Sequence, residues 1–195
     1  MVAKIVIIQC FFGLSDTPTP TATYLAQFAI HEYAHVYQLS HSVSLDLPYT
    51  SWISEGYAQL IALIIGSQKS YLTFNTEMVS SFGTIRGVTD NSTIFTAAPY
   101  ATGTWALAYL MNKVNTANSC LSNCSVGLEA LKTYLKTAGA SGDSATSFQS
   151  TFGLSQTELE TEASAFLLAM DYSSGSSTEA SAWLTTFYNS LPTSL

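Results

Sequence analysis

The sequence predicts a mainly α-helical protein, α+β at most, built as a single domain over residues 1–195. Apolar residues recur at helical spacing through most of the chain, and only residues 2–8 form the short continuous apolar run of a buried strand. With 47% hydrophobic and 12% aromatic residues, the chain has ample material for one packed core. We divide it into a strand and connector (1–20), a central region (21–115) and C-terminal helices (116–195).

Helices are expected wherever helical apolar spacing continues between proline and glycine signals. Thr19 as N-cap and Pro20 at the first helical position begin the first helix, and Gly66 ends the second. Residues 67–99 contain loop signals such as Gly83 and are expected to be mixed. The predicted helices are 20–39, a second from Ser51 or Ser54 to Gly66, and then 100–114, 126–138, 143–151, 155–171 and 178–190.

Charge and composition argue against several classes of protein. The net charge is −7, and the six basic residues form no basic stripe, so nucleic acid is a poor candidate partner. No apolar run approaches the length of a transmembrane segment. Few lysines, abundant serine and threonine and a possible disulfide between Cys120 and Cys124 favour a secreted or extracytoplasmic protein. The alternative is three unpaired cysteines, including Cys10.

The sequence His31-Glu32-Tyr33-Ala34-His35 has the pattern H-E-x-x-H and falls inside the first predicted helix. Residues four apart share one face of a helix, so both imidazoles can bind the same ion. Imidazole suits zinc, and a catalytic zinc site keeps one coordination position open for water. Glu32 lies beside that position and is the candidate general base. The alternative is a helix whose histidines are only half-buried polar residues.

Two residues compete for the position of third metal ligand. His41 would complete the metzincin pattern H-E-x-x-H-x-x-G-x-x-H, but that pattern has a glycine where this chain has Gln38. Glycine lets the chain leave the helix with positive φ, whereas glutamine favours continuation of the helix. The other candidate is Glu55, because the first turn of the second helix can reach an ion held by His31 and His35.

The segment 52–58, with the sequence W-I-S-E-G-Y-A, and the H-E-x-x-H pattern closely resemble the gluzincin zinc metallopeptidases. The likeness is to the aminopeptidase-N-like branch and the small peptidase domains related to it, whose smaller members often carry a glutamine where Gln38 stands. The resemblance implies one Zn²⁺ ion with His31, His35 and Glu55 as ligands. Nineteen residues separate His35 from Glu55, one more than is usual in that family, and a loop absorbs such a change.

Three further residues have expected roles near this site. Residues 99–103, P-Y-A-T-G, match the P-Y-x-x-G setting of the gluzincin oxyanion donor, so the resemblance implies Tyr100 in that role. The alternative is a tyrosine at a helix start with its hydroxyl in water. Gln59, or a backbone carbonyl, is a candidate acceptor for the second ring nitrogen of a metal-bound histidine; the alternative is a surface glutamine. Gly56 is expected to let the second helix approach the first closely.

Taken as a whole, the resemblance implies a gluzincin-type catalytic domain. Residues 21–115 would be the metal-site region with an active-site helix pair, preceded by a remnant strand and followed by a C-terminal helical bundle. The implied function is zinc-dependent hydrolysis of peptide bonds in a peptide or protein substrate, with Glu32 as general base on a zinc-bound water and Tyr100 stabilising the oxyanion. Alternatives are a non-catalytic zinc-binding interaction module and an inactive gluzincin fragment. Glu32 argues against the module, since a structural zinc site needs no general base.

Overall fold

The described part of the chain is built from α-helices and contains no strand, so the prediction of a mainly α-helical protein is confirmed there. The predicted strand at residues 2–8 and the predicted helix start at Thr19 and Pro20 lie outside the described residues. The computed structural model describes residues 21–44, 46–86, 93–170 and 177–194.

Every predicted helix is present, and the ends differ from the predicted ones by three residues or fewer. The first helix begins at Ala22, where the Thr21 side chain accepts a hydrogen bond from the Tyr24 amide at 3.1 Å. The helices are α1 (Ala22–Ser40), α2 (Ser51–Gln68), α3 (Phe74–Ser80), α4 (Phe82–Arg86), α5 (Ile94–Ala97), α6 (Pro99–Ala117), α7 (Val126–Ser141), α8 (Ser144–Phe152), α9 (Gln156–Ala169) and α10 (Thr178–Ser190).

Residues 67–99 contain more helix than the sequence indicated, because α3, α4 and α5 all lie there. Gly83, read as a loop signal, is inside α4. Helices this short are not stable by themselves and depend on tertiary packing. That packing is visible in Phe74, Met78 and Phe82, whose exposed fractions are 2%, 0% and 0%.

Helix α2 forms the centre of the fold, with α1 on one side and α6 on another. It is apolar around most of its circumference, which is typical of a helix surrounded by other helices. Leu60, Leu63 and Ile64 are buried in it, and Trp105 of α6 is buried opposite. The remaining helices extend this core on the side of α6, where α7 and α9 pack.

The backbones of α2 and α6 touch where the helices cross. A Cβ atom on Gly56 would lie 2.6 Å from the Cα atom of Gly103, and one on Gly103 would overlap the carbonyl oxygen of Trp52. Only glycine fits both positions. The expectation that Gly56 serves the approach of α2 to α1 is therefore wrong, because its close neighbour is on α6.

The connection between α6 and α7 contains a disulfide between Cys120 and Cys124, so the paired alternative is the one observed. The third cysteine, Cys10, is outside the described residues. The Cys124 amide donates a hydrogen bond to the Ser190 carbonyl oxygen at 2.6 Å, which joins this turn to the end of α10.

None of the helices in the described ranges is both long and apolar enough to cross a membrane.

Candidate metal centre

Three potential ligand atoms meet between α1 and α2. His31 and His35 lie one turn apart on the same face of α1, and Glu55 lies near the start of α2. The Glu55 Oε2 atom is 3.3 Å from His31 Nε2 and 3.2 Å from His35 Nε2. The two Nε2 atoms are 3.1 Å apart. The structure thus brings together the three residues that the sequence suggested as metal ligands.

The spacing of these atoms fits a tetrahedral zinc site. Bonds of about 2.0–2.1 Å from zinc to nitrogen and oxygen place neighbouring ligand atoms about 3.3 Å apart. The separations of 3.1 to 3.3 Å among His31, His35 and Glu55 are close to that value. Two imidazoles and one carboxylate are also a donor set that zinc favours, and three protein ligands leave a fourth position open.

A buried glutamine fixes the orientation of His35. The His35 Nδ1 atom is 2.8 Å from Gln38 Oε1, and Gln38 Nε2 donates to the Ser54 carbonyl oxygen at 3.1 Å. The Ser54 hydroxyl donates to the same Gln38 Oε1 at 3.1 Å. These two bonds to Ser54 determine which end of the amide faces His35, so Nδ1 must carry the proton. The lone pair of the neutral ring is then on Nε2, directed at the cluster.

Gln59 accepts a hydrogen bond from the His31 ring in a similar way, with its Oε1 atom 3.2 Å from His31 Nδ1. The residue suggested as an acceptor thus occupies that position. The corresponding role of Gln38 was not predicted, although its position three residues after His35 places both on one helix face. With both Nδ1 atoms donating, two lone pairs and a carboxylate oxygen face one another. Such a group needs a cation among its members, either a proton or a metal ion.

The electrostatics of the cluster keep Glu55 ionised. Partial burial alone would raise its pKa, but when the cation among these groups is a proton on an imidazole Nε2, hydrogen bonding with His31 and His35, the charge of His35 and a hydrogen bond from Tyr100 lower the pKa to about 2. Burial opposes the charged form of His35, yet a hydrogen bond to Glu55 and the charges of Glu55 and Glu32 hold its pKa above the usual value. The site therefore attracts positive charge.

The cluster opens into a cleft of about 350 Å³. His31 and Gln59 line it, as does Glu32, whose side chain is partly exposed. No hydrogen bond or ion pair holds the Glu32 carboxylate within the described parts of the chain. Glu32 therefore stands within the cleft where a carboxylate could contact a molecule bound beside the ligands.

Tyr100, in the first turn of α6, forms another wall of the cleft. Its ring is stacked on that of His31, with centroids 5.8 Å apart and planes 17° from parallel, and its hydroxyl interacts with Glu55. Burial and then the charge of Glu55 raise the pKa of Tyr100, so the hydroxyl remains a proton donor at neutral pH. Tyr100 is 51% exposed, so its hydroxyl lies at the solvent-accessible edge of the cluster, near Glu55.

His41 is not brought into this group. Helix α1 continues through Gln38 to Ser40, so His41 lies six residues beyond His35, about 240° around the helix axis at 3.6 residues per turn. Its ring stands edge-on to Tyr37, with centroids 4.6 Å apart. The continuation of the helix, which Gln38 favours, thus explains why the metzincin-like position is not formed.

No family model matches the chain, and no curated protein and no solved structure is significantly similar to it. The resemblance to gluzincins drawn from the motifs at 31–38, 52–58 and 99–103 accordingly stays a prediction. The chemistry of the site is interpreted from its own residues.

Proposed function

We propose that this protein is a gluzincin-type zinc metallopeptidase that hydrolyses peptide bonds in peptide or protein substrates. The observation that carries the proposal is the convergence of His31 Nε2, His35 Nε2 and Glu55 Oε2 within 3.3 Å of one another. They lie beside a cleft that also presents Glu32 and Tyr100. No other residue set in the described chain combines ligand atoms in this way.

His31, His35 and Glu55 would hold one zinc ion. When bound, zinc supplies a Lewis acid that lowers the pKa of water and polarises a substrate carbonyl group. Gln38 and Gln59 keep the ligand nitrogens aimed at the ion by holding the protons on the opposite ring nitrogens.

Glu32 acts as the general base. Its carboxylate accepts a proton from the attacking water and then delivers that proton to the nitrogen of the departing amine. Both transfers need a carboxylate that faces the substrate and is not committed to another partner. The position of Glu32 in the cleft, one residue after His31, meets that requirement.

Tyr100 acts as the donor to the substrate oxygen that becomes negatively charged. Its hydroxyl is directed towards Glu55, and hence towards the position where a carbonyl group would be attacked. Because its pKa is raised by burial and by Glu55, the hydroxyl keeps the proton that this role needs.

Two observations favour a catalytic site over a non-catalytic zinc-binding module. A structural zinc site is usually closed by four protein ligands, whereas three of the described residues meet here and the cleft adjoins them. A structural site also has no use for a carboxylate such as Glu32, which has no hydrogen-bond partner among the described residues. The Cys120–Cys124 disulfide supports an extracytoplasmic location, because disulfides persist mainly in oxidising compartments.

The test is digestion of a fluorescence-quenched peptide library by the zinc-loaded protein, with and without a chelator. Glu32→Gln should keep its zinc and lose at least about 100-fold in kcat, the usual contribution of a general base. Glu179→Gln is the matched control, because Glu179 is an exposed glutamate in the first turn of α10. Chelator-resistant cleavage, or full turnover by Glu32→Gln, would overturn the proposal.

A further inference from the structure

A second cavity, of about 240 Å³, adjoins the metal-site cleft. Gln59 and Tyr100 line both cavities, so the cavities adjoin at these two side chains. Each is tied to a candidate ligand, Gln59 to His31 and Tyr100 to Glu55. The second cavity therefore lies immediately beside the position where a scissile bond would be held.

The walls of this cavity are chemically asymmetric. Leu63 and Ala101, 2% and 6% exposed, form a small apolar part of the wall, and Thr84 and Thr104 add uncharged polar groups. The Ser81 hydroxyl is already used, because it donates to the Met78 carbonyl oxygen at 2.6 Å and accepts from the Trp105 indole at 3.0 Å. One charged group remains among the lining residues, the carboxylate of Glu77.

Glu77 is held in a fixed place, and its charge has no partner among the described residues. Its amide donates to the Thr73 carbonyl oxygen at 3.1 Å, and the neighbouring Phe74 and Met78 anchor α3 in the core with exposed fractions of 2% and 0%. The side chain is only partly exposed, and no hydrogen bond or ion pair reaches its carboxylate in the described chain. A partly desolvated anion without a partner favours binding of a cation.

We propose that the second cavity is a specificity pocket for a lysine or arginine side chain of the substrate, next to the scissile bond, with Glu77 binding the cationic head. This inference rests on the proposed peptidase function. Apolar walls suit the aliphatic stem of such a side chain, and the carboxylate suits its charged end. The volume is below the about 300–1,000 Å³ of pockets for drug-sized ligands, so the cavity suits one side chain.

The preference of the pocket for lysine over norleucine should come from the charge of the lysine side chain alone. A norleucine side chain has the length of lysine without the ammonium group, so it would cover Glu77 and leave it unpaired. An acidic side chain would be repelled. One charge-assisted hydrogen bond in a partly exposed pocket favours lysine over norleucine by about tenfold.

The kinetic test uses zinc-loaded protein and peptides that differ only in lysine, norleucine or glutamate at one position beside the cleaved bond. The wild type should show kcat/KM about tenfold higher for lysine than for norleucine at one such position. Glu77→Gln should bring that ratio close to one, and Glu77→Lys should favour glutamate. Glu179→Gln, at a first-turn glutamate that lines neither cavity, should retain the wild-type ratio.

A binding test separates this inference from the peptidase proposal. Zinc-loaded Glu32→Gln protein, with and without Glu77→Gln, is titrated with fluorescent lysine and norleucine peptides, and circular dichroism checks the fold. Lysine-selective binding that requires Glu77, together with no cleavage of any peptide by the zinc-loaded wild type, would support the pocket and reject the peptidase. Cleavage without a lysine preference, or a preference that survives Glu77→Gln, would reject the pocket and leave the peptidase intact.

Discussion

Helix α1 and its C-terminal cap carry all three histidines of the chain, in two surroundings that differ sharply. His31 and His35 each have a glutamine oxygen at Nδ1 and a carboxylate oxygen near Nε2. His41 packs edge-on against Tyr37 instead. Its Nε2 atom and the Tyr37 hydroxyl are both buried with no hydrogen-bond partner among the residues described.

Burial does not separate the two surroundings, because His35 and His41 are both half-buried. The difference lies in the hydrogen-bond partners of the ring nitrogens, which His35 has and the Nε2 atom of His41 lacks among the described residues. An amide oxygen at Nδ1 determines the tautomer and turns the lone pair of Nε2 towards the cleft. Aromatic packing positions the ring of His41 but does not determine which ring nitrogen carries the proton, so we assign that histidine a packing role.

Removal of the carboxylate ligand should have the largest effect. Glu55→Ala leaves two imidazoles with no negative charge between them, and we expect bound zinc to fall from one ion per chain to almost none. His41→Ala should retain zinc, because His41 is not in the cluster. Metal analysis of both purified variants after dialysis provides the measurement. Loss of zinc from His41→Ala, or its retention by Glu55→Ala, would contradict the ligand assignment.

Removal of the amide that orients His35 should have a smaller but measurable effect. Gln38→Met keeps a similar volume in a fully buried position but loses the acceptor, so zinc affinity should weaken about 10–100-fold. Competition with a chromophoric chelator measures the dissociation constant. Gln38→Glu restores an acceptor and should recover much of the affinity.

The exposed Gln149 of α8 provides the matched control for this prediction. Gln149→Met changes the same atoms far from the cluster and should leave zinc affinity unaltered. If Gln38→Met bound zinc as tightly as the wild type, the glutamine would serve only to join α1 and α2 through Ser54.

The smallest effect is expected at the aromatic end of α1. Tyr37→Phe removes a buried hydroxyl that has no partner in the described chain, so the free energy of unfolding should stay the same or rise by up to about 1 kcal/mol. Tyr49→Phe should lose about 1 kcal/mol, because the Tyr49 hydroxyl donates to the Leu135 carbonyl oxygen at 2.6 Å. Urea denaturation in the presence of a chelator compares the two. An equal loss from both variants would show that the Tyr37 hydroxyl is bonded.

The sequence predicted the candidate site best where the residues belong to the same helix. Within one helix, the spacing of His31 and His35 already places both rings on one side, and Glu32 follows from the same turn. The position of Glu55 depends on how two helices pack, and only the motif around it indicated that arrangement. The role of Gln38 depends on a backbone carbonyl sixteen residues away, at Ser54, which no side-chain pattern reveals.

The fold was least predictable between α2 and α6. The short helices there lack enough turns to show a period, and buried side chains such as Phe82 stabilise them from outside. The pocket around Glu77 was not foreseen, since it exists only where α2, α3 and α6 meet. The partner of Gly56 was misassigned for the same reason, because a glycine does not show in the sequence which backbone it contacts.

The contact between Gly56 and Gly103 holds together the two helices that carry Glu55 and Tyr100. This contact keeps α2 and α6 close beside Glu55 and Tyr100, and residues 69–98 between the two helices support them through side chains such as Phe82, which stacks on Trp105. That stretch also supplies Glu77. If the protein is the proposed peptidase, substitutions at Glu77 can alter which substrates it accepts, whereas buried residues of the same stretch such as Phe82 must be kept for the core.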